Sequence, residues 1–97
     1  MPSEPKELVL LTYDYPADVL ERREPFRDAH LARIDEWRES GRLLLAGAVG
    51  KPPSGALFVF DCSAEEVEEF AAGDPYSQAG LVLAHRVEPL AAVALPG

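Results

Sequence analysis

Cysteine occurs once in this 97-residue chain, at Cys62. A single thiol closes no intrachain disulfide and builds no thiolate metal cluster, so the fold must rest on its core. Histidine occurs only twice, at His30 and His85, and neither sits in a His-Glu-x-x-His or Cys-rich pattern. That argues against a transition-metal site. Phosphate-cradling glycine loops and dinucleotide fingerprints are also missing, so no cofactor is expected. Positive charge is scarce: 9 Lys and Arg stand against 17 Asp and Glu, for a net charge of -8. Such an acidic surface disfavours nucleic acid and anionic membrane as partners. No apolar run approaches the roughly 18 residues that span a bilayer. Met1-Pro2-Ser3-Glu4-Pro5 lacks the basic-then-apolar order of a secretory signal. Together with a lone cysteine, which suits a reducing compartment, these absences predict a cytoplasmic protein.

Apolar residues make up 47% of the chain, too many for a disordered one, and the length suits one domain spanning 1–97. Residues 1–6 and 95–97 read as loose ends. Leu8 to Tyr13 reads as a strand that is apolar on both alternating faces. Asp18 with Glu21 resembles a capping box that starts a helix, and Pro25 either kinks that helix or opens a new one. A helical pattern runs from Phe26 to about Ser40 and stops at Gly41. Leu43 to Val49 and Ala56 to Cys62 read as strands joined by a Gly50–Gly55 loop. Ser63-Ala64-Glu65-Glu66 is a capping box for a second helix ending near Gly73. Asp74 to Gly80 is a short turn or loop, and Gly80 lets the backbone swing into a last strand. That strand runs from Leu81 to about Val93, with Pro89 bending it or marking an edge.

The order β-α-β-β-α-β is the split pattern of ferredoxin-like α+β domains, in which both helices pack on one face of the sheet. These strands carry Leu, Val, Ala or Phe on both faces, so the other face would expose a large apolar patch. A second copy packed sheet to sheet removes it, and a homodimer is expected.

Two polar signatures stand out against this apolar background. At about 100° per residue, His30, Ile34 and Trp37 fall on the side of Phe26, with Arg27 and Leu31 in the same arc; Asp28, Asp35 and Glu39 fall opposite. A titrating group on an apolar face is costly unless it has a partner. Asp74, in Asp74-Pro75-Tyr76, is the candidate partner, and a His–Asp pair is a common general acid or base. The same positions also suit a core histidine satisfied by one hydrogen bond and an Asp-Pro turn opener capped by its own backbone. Gly47 interrupts the second strand, which fits a bulge, a close approach or a pocket wall. Asp14 and Tyr13 lie where a pocket mouth could form. His85 shares a strand face with Leu83 and Val87 and reads as an interface or edge histidine, and Cys62 as a small hydrophobe ending its strand.

Arg27-Asp28-Ala29-His30-Leu31, Gly41-Arg42-Leu43-Leu44-Leu45-Ala46-Gly47, Ser63-Ala64-Glu65-Glu66 and Asp74-Pro75-Tyr76 with Ala79-Gly80-Leu81 together resemble the YciI-like, or YCII-related, family. The resemblance covers nearly the whole chain. It implies a ferredoxin-like subunit forming a dimeric α/β barrel, with an active site on a His–Asp pair carried by His30 and Asp74. Arg27 matches the family's usual arginine one turn before the histidine, whereas the Pro25-Phe26 pair departs from its pattern. Lyase chemistry on ring compounds, such as dehydrochlorination, is associated with the family.

Two functions fit these residues. One is a cofactor-free lyase or isomerase acting on a small ring or carbonyl compound. His30 is then acid or base, Asp74 orients it, and Arg27 and Tyr76 hold an anionic oxygen beside a Gly47 wall. The other is a dimeric domain, or a higher assembly, that binds a small ligand or serves a structural role without catalysis.

Overall fold

The structure, a computed structural model, describes residues 4–95. Its strands are β1 (Lys6–Asp14), β2 (Leu43–Val49), β3 (Gly55–Phe60) and β4 (Ala84–Ala92). Its helices are α1 (Val19–Arg22), α2 (Arg27–Glu39), α3 (Ala64–Gly73) and α4 (Pro75–Gln78). The sheet order is β2-β3-β1-β4, with every neighbouring pair antiparallel. That is the ferredoxin-like α+β arrangement expected from the element order, with two short helices added to the main pair.

Register assigns each strand residue a face. Val9, Leu11 and Tyr13 of β1 stand beside Phe60, Phe58 and Ala56 of β3. This face is covered by helices, and its core includes Leu11, Phe58, Phe60, Trp37, Val67 and Phe70. The aromatic rings meet edge to face, with Trp37 5.2 Å from Phe70 and Phe58 5.3 Å from Phe70. Such T-shaped contacts add to the apolar area removed from water. The opposite face holds Leu8, Leu10, Leu57, Val59 and Leu90, with no helix over it. Leu45 of β2 is 55% exposed there.

Several local expectations need correction. Residues 1–3 and 96–97 of the two loose ends lie outside the described residues, but Lys6 is not loose. It opens β1 opposite Ala92 and pairs with Asp61 at 3.3 Å. Asp18 does not cap α1 with its side chain. Its φ and ψ are -99 and 25, not the extended geometry a capping side chain needs, and its carboxylate meets Arg22 at 3.4 Å instead. Pro25 neither kinks a helix nor opens α2; it sits in a 3-10 turn, Glu24–Phe26, between α1 and α2. That turn takes Phe26 out of the helix, so it is 37% exposed rather than buried, and Leu31 is 40% exposed. The inward stripe of α2 is narrower than the wheel suggests and runs along His30, Arg33, Ile34 and Trp37. β3 ends at Phe60, so Cys62 lies beyond it, half-buried against the core, where burial pushes its thiol up. β4 starts at Ala84, because Leu81 leaves the turn to enter the core. Pro89 does mark an edge: β4 is the outer strand on its side, where a missing N–H is tolerated.

α3 is fixed at both ends, and this matters for the site. Ser63 accepts from the Glu66 amide at 3.1 Å, and Glu66 accepts from the Ser63 amide at 3.2 Å, a complete capping box. Ser63→Ala removes one of these bonds and should cost about 1 kcal/mol of unfolding free energy, measured by urea denaturation.

Candidate active site

Pro75 organises the site through its neighbour. A residue before proline is pushed out of helical geometry into extended backbone. Asp74 accordingly has φ -68 and ψ 126, which ends α3 and at the same time gives it the N-cap conformation for α4. Pro75 is the first residue of α4 and has no N–H to satisfy, so the Asp74 side chain reaches Tyr76, whose amide donates to Oδ1 at 3.0 Å. The turn cap and the histidine partner are therefore one carboxylate. Asp74 is 0% exposed. Its Oδ1 also meets His30 Nδ1 at 2.8 Å, and its Oδ2 accepts from the Tyr13 hydroxyl at 2.7 Å. After β4 is approached, Gly80 at φ +75 supplies the left-handed turn the sequence calls for.

His30 comes from the middle of α2 and is 6% exposed. An ionised carboxylate only accepts, so the network assigns the proton to Nδ1 and leaves Nε2 for a ligand. The Tyr76 ring stacks on the imidazole with centroids 3.7 Å apart and planes 6° from parallel. Asp74 thus fixes the ring from its edge and Tyr76 from its face.

Arg33, three residues after His30, sets the approach of α2 to α3. Its Nε donates to the Phe70 carbonyl at 3.2 Å and a terminal nitrogen donates to the Glu69 carbonyl at 3.1 Å. These carbonyls belong to the last two turns of α3, where a cation is favoured. The guanidinium also lies 5.6 Å from the Trp37 ring centre and 5.4 Å from that of Phe70. Gly73 makes room for it, since a Cβ there would fall 2.4 Å from the guanidinium. The bonded carbonyls lie five and four residues before Asp74, so the clamp holds the end of α3 that leads into Asp74 against the helix that carries His30. Arg33 carried no sequence signal, because a lone arginine at the margin of a helix stripe reads as solvated.

A cavity of about 310 Å³ opens beside His30. Arg27, Tyr76 and Gly47 line it with His30, while Asp74 stands behind the imidazole. Gly47 is a wall, but not for the reasons its type suggests. The β2 register slips between Leu43 and Leu45 instead, and a Cβ at Gly47 would meet nothing within 4 Å. Asp14 ends β1 exposed, outside the lining, and its carbonyl accepts from the Leu83 amide. His85 is an exposed edge residue 2.8 Å from Glu68. Two polar lining residues escaped sequence reasoning, Tyr15 and Arg23. The Arg23 Nε and the Tyr76 hydroxyl are buried with no hydrogen-bond partner among the described residues. Among the described residues no three His, Cys, Asp or Glu side chains converge as a metal site requires, and no helix is long and apolar enough to cross a membrane.

The three tyrosines hold their protons. Burial pushes the Tyr13 phenol far above its ordinary 10.0, helped by the Asp74 charge and hydrogen bond. Burial also raises Tyr15, again aided by Asp74. Burial raises Tyr76 against the opposing pull of Arg27 and Arg23. Above pH about 10 the unfolded chain releases these protons and the folded one keeps them, so stability is full below that pH and falls above it. Absorbance at 295 nm should show no tyrosinate near pH 10 in the folded protein, then ionisation together with unfolding; a titration of two or more tyrosines before unfolding contradicts this. Tyr13→Phe leaves Asp74 Oδ2 without its donor and should cost about 1–3 kcal/mol in urea denaturation.

Residues 7–91 match the YCII-related domain family. A YciI protein of Escherichia coli is 37% identical over 84 residues, which cover 75% of this chain and 85% of that one. Among solved structures, the 5-chloro-2-hydroxyhydroquinone dehydrochlorinase TftG of Burkholderia phenoliruptrix, in complex with 2,5-dihydroxybenzoquinone, is similar. It superposes with a TM-score of 0.71 at 27% identity over 84% of this chain and 90% of its own. A NIPSNAP domain protein from Burkholderia xenovorans shares the fold at a TM-score of 0.53 and 16% identity, over 95% of each chain. With the family matched across nearly the whole sheet and both main helices, the chain belongs to the YCII-related family.

Proposed function

We propose that this protein is a cytoplasmic, cofactor-free acid–base enzyme acting on a small ring or carbonyl compound, with elimination or isomerisation as the outcome. One observation carries the reading: a buried imidazole whose Nδ1 is held at 2.8 Å by a fully buried carboxylate, while the ring borders a cavity. That arrangement sets the tautomer with a lone pair on Nε2. Nε2 takes a proton from an acidic C–H or O–H of the substrate. The electron pair released moves into the ring or carbonyl, and the oxygen that gains charge faces Arg27 and the Tyr76 hydroxyl. If the next carbon bears a leaving group such as chloride, it departs with its bonding pair and a double bond forms. If it does not, the imidazolium returns the proton at another carbon and the substrate is isomerised. The likeness to a dehydrochlorinase of the same fold supports the elimination branch.

The proposed assembly is a homodimer closing two sheets face to face, as a dimeric α/β barrel. Its support is the helix-free face, where Leu45 and Val49 of β2 are 55% and 49% exposed, an exposure a second copy would end. Leu45→Glu on that face should convert a species of twice the monomer mass into the monomer in analytical ultracentrifugation; a wild-type monomer at micromolar concentration contradicts the dimer.

Turnover of a panel of chlorinated hydroquinones and ring ketones, followed by chloride release and by deuterium uptake from solvent, tests the chemistry. Wild type should act without added cofactor. His30→Gln, whose side-chain amide can still donate to the Asp74 carboxylate, should lose about 10²–10⁴-fold in rate while its melting temperature stays close to wild type. Equal rates in the two proteins would defeat the assignment, and a large loss of stability in His30→Gln would favour the structural role instead.

A further inference from the structure

We propose that the cavity binds its substrate by a carboxylate, that Arg23 is the residue that recognises it, and that the substrate class is therefore a small single-ring carboxylic acid. This rests on the proposed role of the cavity as the substrate site and adds to it a second anchoring point.

The arginines of this chain divide cleanly. Among the described residues, Arg22, Arg38, Arg42 and Arg86 each face a carboxylate, and Arg33 is taken by the carbonyls of α3. Arg23 and Arg27 have no such partner, and both line the same cavity. No acidic side chain lines it with them. Buried donors in a folded protein are normally paired, so an orphaned Arg23 Nε and an orphaned Tyr76 hydroxyl in one cavity mark a place where a ligand supplies the acceptors. A cleft carrying two guanidiniums on a chain of net charge -8 also concentrates anions against the background of its surface.

Position separates the two arginines by task. Arg27 precedes His30 by three residues on α2, one turn away, and serves an oxygen attached near the reacting carbon. Arg23 lies seven residues before His30, just after α1 and across the 3-10 turn from α2, so it enters the cavity from a different element and meets a different part of the substrate. A guanidinium is a planar fork that fits a carboxylate with two parallel bonds, which a phenol or ketone oxygen does not match. The rest of the wall, with Ile34, Phe58 and Pro53, is apolar, and about 310 Å³ is at the small end of ligand cavities, the size for one ring. Binding energy gained at the remote carboxylate would then orient the reacting carbon against Nε2.

Benzoate and benzyl alcohol share a ring and differ in the anion, so they serve as probes. Side-chain NMR of the folded protein reads the Arg23 and Arg27 Nε–H signals and the His30 ring during titration with each. Benzoate should shift the Arg23 signal, bind at least about tenfold more weakly to Arg23→Gln, and recover part of that loss in Arg23→Lys. Benzyl alcohol should bind wild type and Arg23→Gln alike. Free Arg23→Gln should melt no lower than wild type, because Nε has no bond to lose. Equal benzoate affinity in wild type and Arg23→Gln overturns the inference, and doubly so if the variant melts lower, which assigns Arg23 to the fold. If benzyl alcohol shifts the His30 ring in that case, the substrate site survives without its carboxylate anchor. If neither probe shifts His30 or Arg23, both the site and the anchor fall.

Discussion

The Asp74 carboxylate is the interaction on which the arrangement depends. Buried without a charged partner, a carboxylate is expensive, and here three donors from three elements offset that cost: Tyr13 from β1, His30 from α2 and the Tyr76 amide from α4. Each donor is locked in return. The strand, the main helix and the short helix are pinned at one point at the end of the sheet, next to the cavity. This is why stability and chemistry are difficult to separate at this residue, and why its neighbours on either side, Gly73 and Pro75, both act on position. Pro75 sets the backbone of Asp74, and Gly73 admits the arginine that draws α2 against α3.

Around that point the molecule leaves two surfaces unfinished. One is the helix-free face of the sheet, and the other is the cavity with its unpartnered Arg23 Nε. Both are departures from the rule that folded chains hide apolar surface and pair polar groups, and such departures concentrate where a protein meets something else.

How much of this is legible in the sequence depends on the range of the interaction. The capping box at Ser63, the limits of β2 and the end of α3 are written in local residues and are found where those residues place them. The His30–Asp74 pair is 44 residues apart in the chain and becomes readable only because a costly polar group on an apolar stripe demands a partner. Tyr13 sends the same signal more faintly: it shares the inward face of β1 with Leu11, and a buried phenol also needs an acceptor. Arg23 is hidden for a different reason. Its spacing to Arg27 and His30, four and then three residues, is that of one helix stripe, but Pro25 breaks the helix between them and disguises the pattern. The mistaken reading at Asp18 shows the reverse problem, a capping motif whose backbone never adopts the geometry the motif requires.

The stack of Tyr76 on His30 has a stereochemical result. An imidazole lone pair lies in the plane of its ring, so a proton donor meets His30 at its edge, and the parallel phenol of Tyr76 fixes the orientation of that plane. The tyrosines around the cavity keep their protons, which leaves a single basic edge on a single side. A flat molecule seated against that edge presents one of its two faces to it. In the proposed reaction, proton removal and proton return would take place on the same face, so a new stereocentre would form with one handedness and the transfer would be suprafacial.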